Sequence, residues 1–291
     1  MSQIDLSKLP PPEVVQQLDA VSIRTRMLLR YAELQGVEVP KVGDPLHNAM
    51  SSMAEEVTRA RQEFQDISLE NMVAFASGNN LVHLGAARPV EKFDKETDDQ
   101  YRRRVQMAPE SFSVAGPDGA YIFHALNAHE DVLDARPLSP TPVKVDLYIL
   151  SRLGDGSASP ELCQTVFDYL DGITKRPLND NLDVYPAIIK PYRIEVELNM
   201  PVGPGEAQTL AMAEKRLQKL ADETHVLGGE VALSALYAAA HVKRDDKAAE
   251  IGSFQPVTKV SLIEPLAGIE CLASEAPFCT EIVVRKAGAV V

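Results

Sequence analysis

Leu46, Met50, Met53, Val57, Ala60, Phe64 and Ile67 recur at spacings of 4, 3, 4, 3, 4 and 3. This is an a/d heptad seam held over about three heptads, with a period of 3.5 rather than 3.6 residues. Asp44-Pro45 just before it reads as an N-cap followed by proline in the first helical position. Glu55, Glu56, Arg59, Arg61, Glu63 and Gln65 fill the intervening positions, so the predicted helix is apolar on one narrow stripe and wet elsewhere. A lone helix of this kind has nothing to bury its stripe against. One possible cover lies in the same chain, where Val14, Leu18, Val21, Leu28 and Tyr31 recur at roughly helical spacing up to Gly36. The other is a helix from a different chain, and the spacing alone does not choose between them.

Around this helix the sequence is punctuated clearly. Pro10 to Pro12 form an extended lead-in that cannot sit inside a helix. Residues 70–87 read as short helix or turn, broken at Gly78 and Gly85. Thr97 caps a charged helix with Asp98 and Asp99 in its first turn. Arg102 and Arg103 follow four residues behind them, so Arg102-Arg103-Arg104 reads as a solvated face and not a phosphate site. A further helix starts at Gly116-Pro117. Two strands follow, near Val132–Arg136 and Val143–Leu150, joined by a proline-rich turn; in the second, apolar and polar residues alternate. With a helix from Pro160 and one more strand, this middle unit reads helix, strand, strand, helix, strand.

From Pro191 a second unit begins with a clean alternation, Tyr192, Ile194, Val196, Leu198 and Met200 against Arg193, Glu195, Glu197 and Asn199. Gly203-Pro204-Gly205 introduces a helix with Leu210, Ala213, Leu217 and Leu220 on one face, and Gly228-Gly229 ends it. A shorter helix over Leu233–Ala240 and strands near Val257–Ile263 and Phe278–Arg285 complete the chain. Strands and helices without regular βαβ alternation predict an α+β fold, not a doubly wound sheet. The expected organisation is an N-terminal region of long helices (bundle or coiled coil, 1–84) followed by two small α+β domains, 85–190 and 191–291.

Composition limits the function classes. The 291 residues carry 29 Lys+Arg against 42 Asp+Glu, a net charge of -13, which disfavours a general nucleic-acid binder. There is no run of 18 apolar residues to span a bilayer. The opening Met1–Leu6 lacks the basic start and apolar stretch of a secretion signal, so the expectation is a chain made and folded in the cytoplasm. Cys163, Cys271 and Cys279 form no CxxC pair and read as reduced thiols, although Cys271 and Cys279 could face each other across a hairpin. No GxGxxG, Walker A, GxSxG or HExxH pattern occurs. No catalytic, cofactor-binding or metal-binding set is therefore expected. His124 and His129 are five apart, on different helix faces, and His124 reads as structural. His129, Glu130 and Asp131 form the most conspicuous polar cluster, on which the competing reading of a small hydrolase-type enzyme would rest.

Ser113-Val114-Ala115-Gly116-Pro117, then Ala120-Tyr121 and Phe123-His124-Ala125, resembles the signature of the baseplate J family of contractile phage tails and tailocins. The resemblance extends to Tyr101–Arg104, Ser139-Pro140 and Val145–Arg152, to the opening Ile4–Ser7 with Leu9-Pro10 and Pro12, and to Leu233–Ala239 with His241-Val242. It covers nearly the whole chain in order. The resemblance implies a structural wedge subunit of the virion tail baseplate. Two copies would join another baseplate wedge protein through a helical bundle, with a small sheath-initiating wedge protein beside it. The C-terminal parts would link wedges into a ring around the central hub and tube. On that reading the seam Leu46, Met50, Met53, Val57, Ala60, Phe64 and Ile67 binds partner chains, and hinges at Gly85–Pro89 and Ile189–Pro191 let the ring widen. A tail-associated adhesin is a third reading, poorly suited to a long heptad helix with mixed α+β units.

Overall fold

The computed structural model describes residues 6, 9–15, 19–112, 117–172, 175, 177, 179–203, 205–242 and 257–288. Leu18, the Ser113–Gly116 part of the signature with its expected helix start, and Pro204 lie outside the described residues. The chain divides into two compact units, Met1–Ala108 and Pro109–Val291.

The first unit is helical. Helix α1 (Ala20–Gln35) begins at an Asp19 cap whose carboxylate accepts from the Val21 and Ser22 amides, and it stops at Gly36 in the left-handed conformation. It therefore starts six residues later than the apolar spacing from Val14 implies, and Val21, expected on its inner face, is exposed. The lead-in is held instead by a residue far along the chain. The Gln65 side chain accepts from the Val14 and Val15 amides at 2.8 and 3.0 Å and donates to the Pro12 carbonyl at 2.7 Å. Helix α2 (Pro45–Leu69) carries the seam, with Asp44 capping the Leu46 amide. Helices α1 and α2 pack as an antiparallel hairpin, with Gln65 beside the lead-in to α1 and His47 beside Leu28.

Helices α3 (Gly78–Ala86) and α4 (Asp98–Met107) complete this unit. Thr97 and Gln100 form the reciprocal capping box of α4. The arginine cluster is not a solvated face. Arg104 is 3% exposed and pairs with Glu96, while Arg102 donates to the Val73 and Ala76 carbonyls at 2.8 and 2.6 Å. Drawn inward, Arg102 meets Asp99 three residues back rather than Asp98 four back. Asp98 accepts from the Gly78 amide at 2.8 Å and pairs with Lys92, and the amide first and Lys92 second hold its carboxyl below the usual range. Gly85, placed in an expected hinge, lies against the buried Tyr101 ring, where a methyl group would fall on the Tyr101 hydroxyl.

The second unit is α+β. Helix α5 (Asp118–Ala128) leads into β1 (Val132–Leu138) and β2 (Lys144–Ser151), which pair antiparallel. Helix α6 (Pro160–Leu170) then crosses over to β3 (Asn181–Pro186), which runs parallel to β2. After Ala187 alone, the chain continues as β4 (Ile188–Asn199) in a second sheet. There β4 is the centre strand, flanked by β6 (Lys259–Glu264) antiparallel and β8 (Glu275–Lys286) parallel. Helices α7 (Glu206–Thr224) and α8 (Leu233–Ala240) cover one face of it, burying Ile194, Val196, Leu198, Leu217 and Leu236. A two-stranded ribbon, β5 (Glu230–Val231) with β7 (Ile269–Glu270), sits beside them.

Ile189–Pro191, the other expected hinge, is not a linker. It lies in β4, in register with Ala276, Pro277 and Phe278 of β8. The three cysteines are free thiols, and burial pushes each of them up from the ordinary range.

Candidate partner-binding surface

The heptad helix supplies two parallel stripes, and α1 covers the less apolar one. One residue after each seam position comes His47, Ser51, Ala54, Thr58, Arg61, Gln65 and Ser68, which repeat with the same 4, 3 spacing. On this offset stripe His47 is 8% exposed, Ala54 fully buried and Gln65 9% exposed. Ala54 is small enough to admit α1, whose Ile23, Leu28 and Ala32 form the opposing buried face. Ser51, Thr58 and Ser68 donate to the carbonyls of His47, Ala54 and Phe64 in their own helix, so their hydroxyls need nothing from α1.

Because an α-helix turns about 100° per residue, the seam itself points away from the α1 contact. Met53, Phe64 and Ile67 are 54%, 58% and 64% exposed. Ala60 is exposed too, and Leu46, Met50 and Val57 are half-buried. The intramolecular hairpin thus satisfies one flank of α2 and leaves Met53, Ala60, Phe64 and Ile67 of the apolar stripe open. Among the described residues, twelve of the twenty-two exposed large apolar side chains precede residue 73, which concentrates unburied apolar surface in the helical hairpin and its loops. The sequence located the seam residues; the offset stripe was missed because His, Ser, Thr and Gln carry no hydrophobic signal.

The polar cluster at the start of β1 has an architectural arrangement. The His129 ring accepts from the Asp131 amide at 3.2 Å, and the Glu130 carbonyl accepts from Arg152 at 2.8 Å. These contacts fasten the turn between α5 and β1 to the end of β2. His124 lies against Phe123 and Tyr169, with centroids 5.4 and 6.3 Å away. Among the described residues no three His, Cys, Asp or Glu side chains come together as metal ligands, and no helix is long and apolar enough to cross a membrane.

A family model described as the Baseplate J-like central domain matches residues 113–186, the span that holds α5, β1, β2, α6 and β3. Baseplate protein J of Escherichia phage P2 is 33% identical over 311 residues, with 99% of each chain covered. The chain belongs to the baseplate J family. Membership makes it a structural protein of the tail baseplate. Among solved structures it is similar to a chain of the six-fold symmetrised cryo-EM structure of the anti-feeding prophage (AFP) baseplate. That match has a TM-score of 0.35 and 12% identity, over 67% of this chain and 43% of the other, so this baseplate J chain spans less than half of that one's length. The family match ends at Pro186, the last residue of β3, two residues before the chain enters the second sheet at Ile188.

Proposed function

We propose that this chain is a wedge subunit of a contractile-tail baseplate, of a phage or a tailocin. Two copies join a different wedge protein through a helical bundle built on the α2 seam, and a small sheath-initiating wedge protein docks beside it. In this reading residues 1–84 form the bundle region, 85–190 the middle domain and 191–291 the ring-forming domain. The last links neighbouring wedges around the central hub and tube, in the virion tail.

The observation that supports the bundle is the exposure of Met53, Phe64 and Ile67 on a helix that already has its own partner helix on the adjacent stripe. Completing the burial of such half-exposed side chains contributes on the order of 1 kcal/mol each, and a helix from another chain can supply it. Two identical chains sharing a bundle with a third, different chain meet non-equivalent surroundings. Met50 and Met53, unbranched and adaptable, suit a seam that must fill two differently shaped gaps.

Co-expression with the products of neighbouring tail reading frames, followed by native mass spectrometry, tests the reading. A defined heteromer holding two of these chains and one partner is expected, with its yield lost in Met53→Asp. A one-to-one complex, or a chain that stays alone with every neighbour, overturns it.

A further inference from the structure

We infer that the seam of one copy docks on the outer face of α1 of a second copy, with Glu56 and Glu63 meeting Arg26 and Arg30. The inference rests on the reading of the seam as a partner-binding stripe and adds what covers it.

Each chain carries two unpartnered apolar rows. Besides the seam, Val21 and Leu29 on α1 are both 54% exposed and stand two turns apart. Thr25 lies between them, and its hydroxyl donates to the Val21 carbonyl at 2.8 Å, so the row makes no polar demand on a partner. The charges beside the two rows are opposite. Arg26 and Arg30 follow Thr25 and Leu29 and are exposed; Arg30 pairs with Glu33 on its own helix, in an exposed pair of a kind that contributes little. Along the seam the residues following it are covered by α1, so the open flank is the one preceding Val57 and Phe64. With the residues before Ala60 and Ile67, that flank carries Glu56, Arg59, Glu63 and Asp66, all exposed and net acidic, with Glu56 meeting Arg59 at 3.4 Å.

Pairing two seams antiparallel, open flank to open flank, would set two net acidic edges together at the flanking positions that choose coiled-coil partners. Pairing a seam with the α1 row sets carboxylate against guanidinium. No chain makes this contact with itself, because its α1 already lies on the offset stripe at Ala54, with Gln65 holding the lead-in. The contact is heterologous: it uses the seam of one copy and the α1 row of the other. One seam per pair stays open, and that is the place for the different wedge chain.

Sedimentation velocity of the purified full-length chain over a concentration series at low salt tests this. The wild-type chain is expected to form dimers and larger head-to-tail species. Arg26→Glu/Arg30→Glu and Glu56→Arg/Glu63→Arg should each weaken association roughly tenfold or more. Mixing those two variants should restore it, since the reversed seam then faces the reversed row. A wild-type chain that stays monomeric throughout, or an Arg26→Glu/Arg30→Glu variant that associates like wild type, overturns the inference. Phe64→Asp separates the two levels. If it associates as wild type does, the seam reading itself falls. If it loses association while Arg26→Glu/Arg30→Glu keeps it, the seam stands and this placement is wrong. Far-UV circular dichroism on every variant confirms that the hairpin remains helical.

Discussion

Arg104 and Glu96 form an ion pair with each side chain 4% exposed, closed by a 2.7 Å hydrogen bond from Arg104 Nε to Glu96 Oε1 and a second from Nη2 to Oε2. The guanidinium also donates to the Glu91 carbonyl at 2.6 Å and lies 4.2 Å from the centre of the Phe93 ring. Taking both charges out of water is offset only while both are present. Arg104→Met should therefore lower stability by about 3–5 kcal/mol by stranding the carboxylate. Arg104→Met/Glu96→Leu should cost much less. Urea unfolding of the single and double variants measures the difference, and equal losses would contradict this account.

Acid should weaken the second unit through His124. Burial first, and the nearby Lys175 charge second, hold its folded pKa below the ordinary 6.5. Well above pH 6.5 the ring is neutral in both states and contributes no pH dependence. Below that, the unfolded chain takes up a proton that the folded chain refuses, so stability falls as pH drops toward the lowered folded value. His124→Phe keeps a ring against Tyr169 and removes the titration. The expected result is a shallower loss of melting temperature between pH 6.5 and mildly acid pH than in the wild type.

Gln65→Ala should release the lead-in to α1. Three hydrogen bonds are lost at once, each contributing about 0.5–1.5 kcal/mol net, and nothing else described holds Pro12–Val15 to α2 by hydrogen bonds. Limited proteolysis should cut before Ala20 much sooner than in the wild type, while the second unit stays resistant.

Gly85→Ala should damage the first unit despite the ordinary helix propensity of alanine. The added methyl would overlap the Tyr101 hydroxyl and lie 3.0 Å from Val105 Cγ2. Tyr101 is fully buried and donates to the Val90 carbonyl at 2.7 Å, so it has no free space into which to retreat. A loss of about 1–3 kcal/mol is expected from overpacking. Unchanged thermal unfolding would mean that the ring yields more easily than its burial indicates.

Features encoded within one turn or one strand were legible in the sequence. The Asp44-Pro45 start, the Thr97 cap and the alternation of Tyr192 to Met200 each depend on neighbours a few residues away, and each is present. The α+β class followed from those elements. What failed depended on distant partners. The apolar spacing runs the helix back to Val14 because nothing local marks Gln65, some fifty residues on, as the acceptor for the Val14 and Val15 amides. Local spacing puts Arg104 in water because it says nothing of Glu96 and Phe93 folding over it. At the seam the apolar residues were found, while the small and polar stripe that receives α1 was not, since Ala54 is recognisable as a contact only once a second helix lies on it.

The passage from β3 to β4 through Ala187 also determines how the second unit bears tension. Ala187 donates to the Ile149 carbonyl at 2.8 Å, and Ile188 donates to the Ser274 carbonyl at 3.0 Å, so consecutive residues grip different sheets. Pulling along this continuous strand loads its ladders with β2 and β8 in shear, many hydrogen bonds at once, rather than unzipping them singly. A force entering at the far end of β4 therefore reaches the first sheet as a stiff displacement, as along a rod, and little of it is absorbed at the junction.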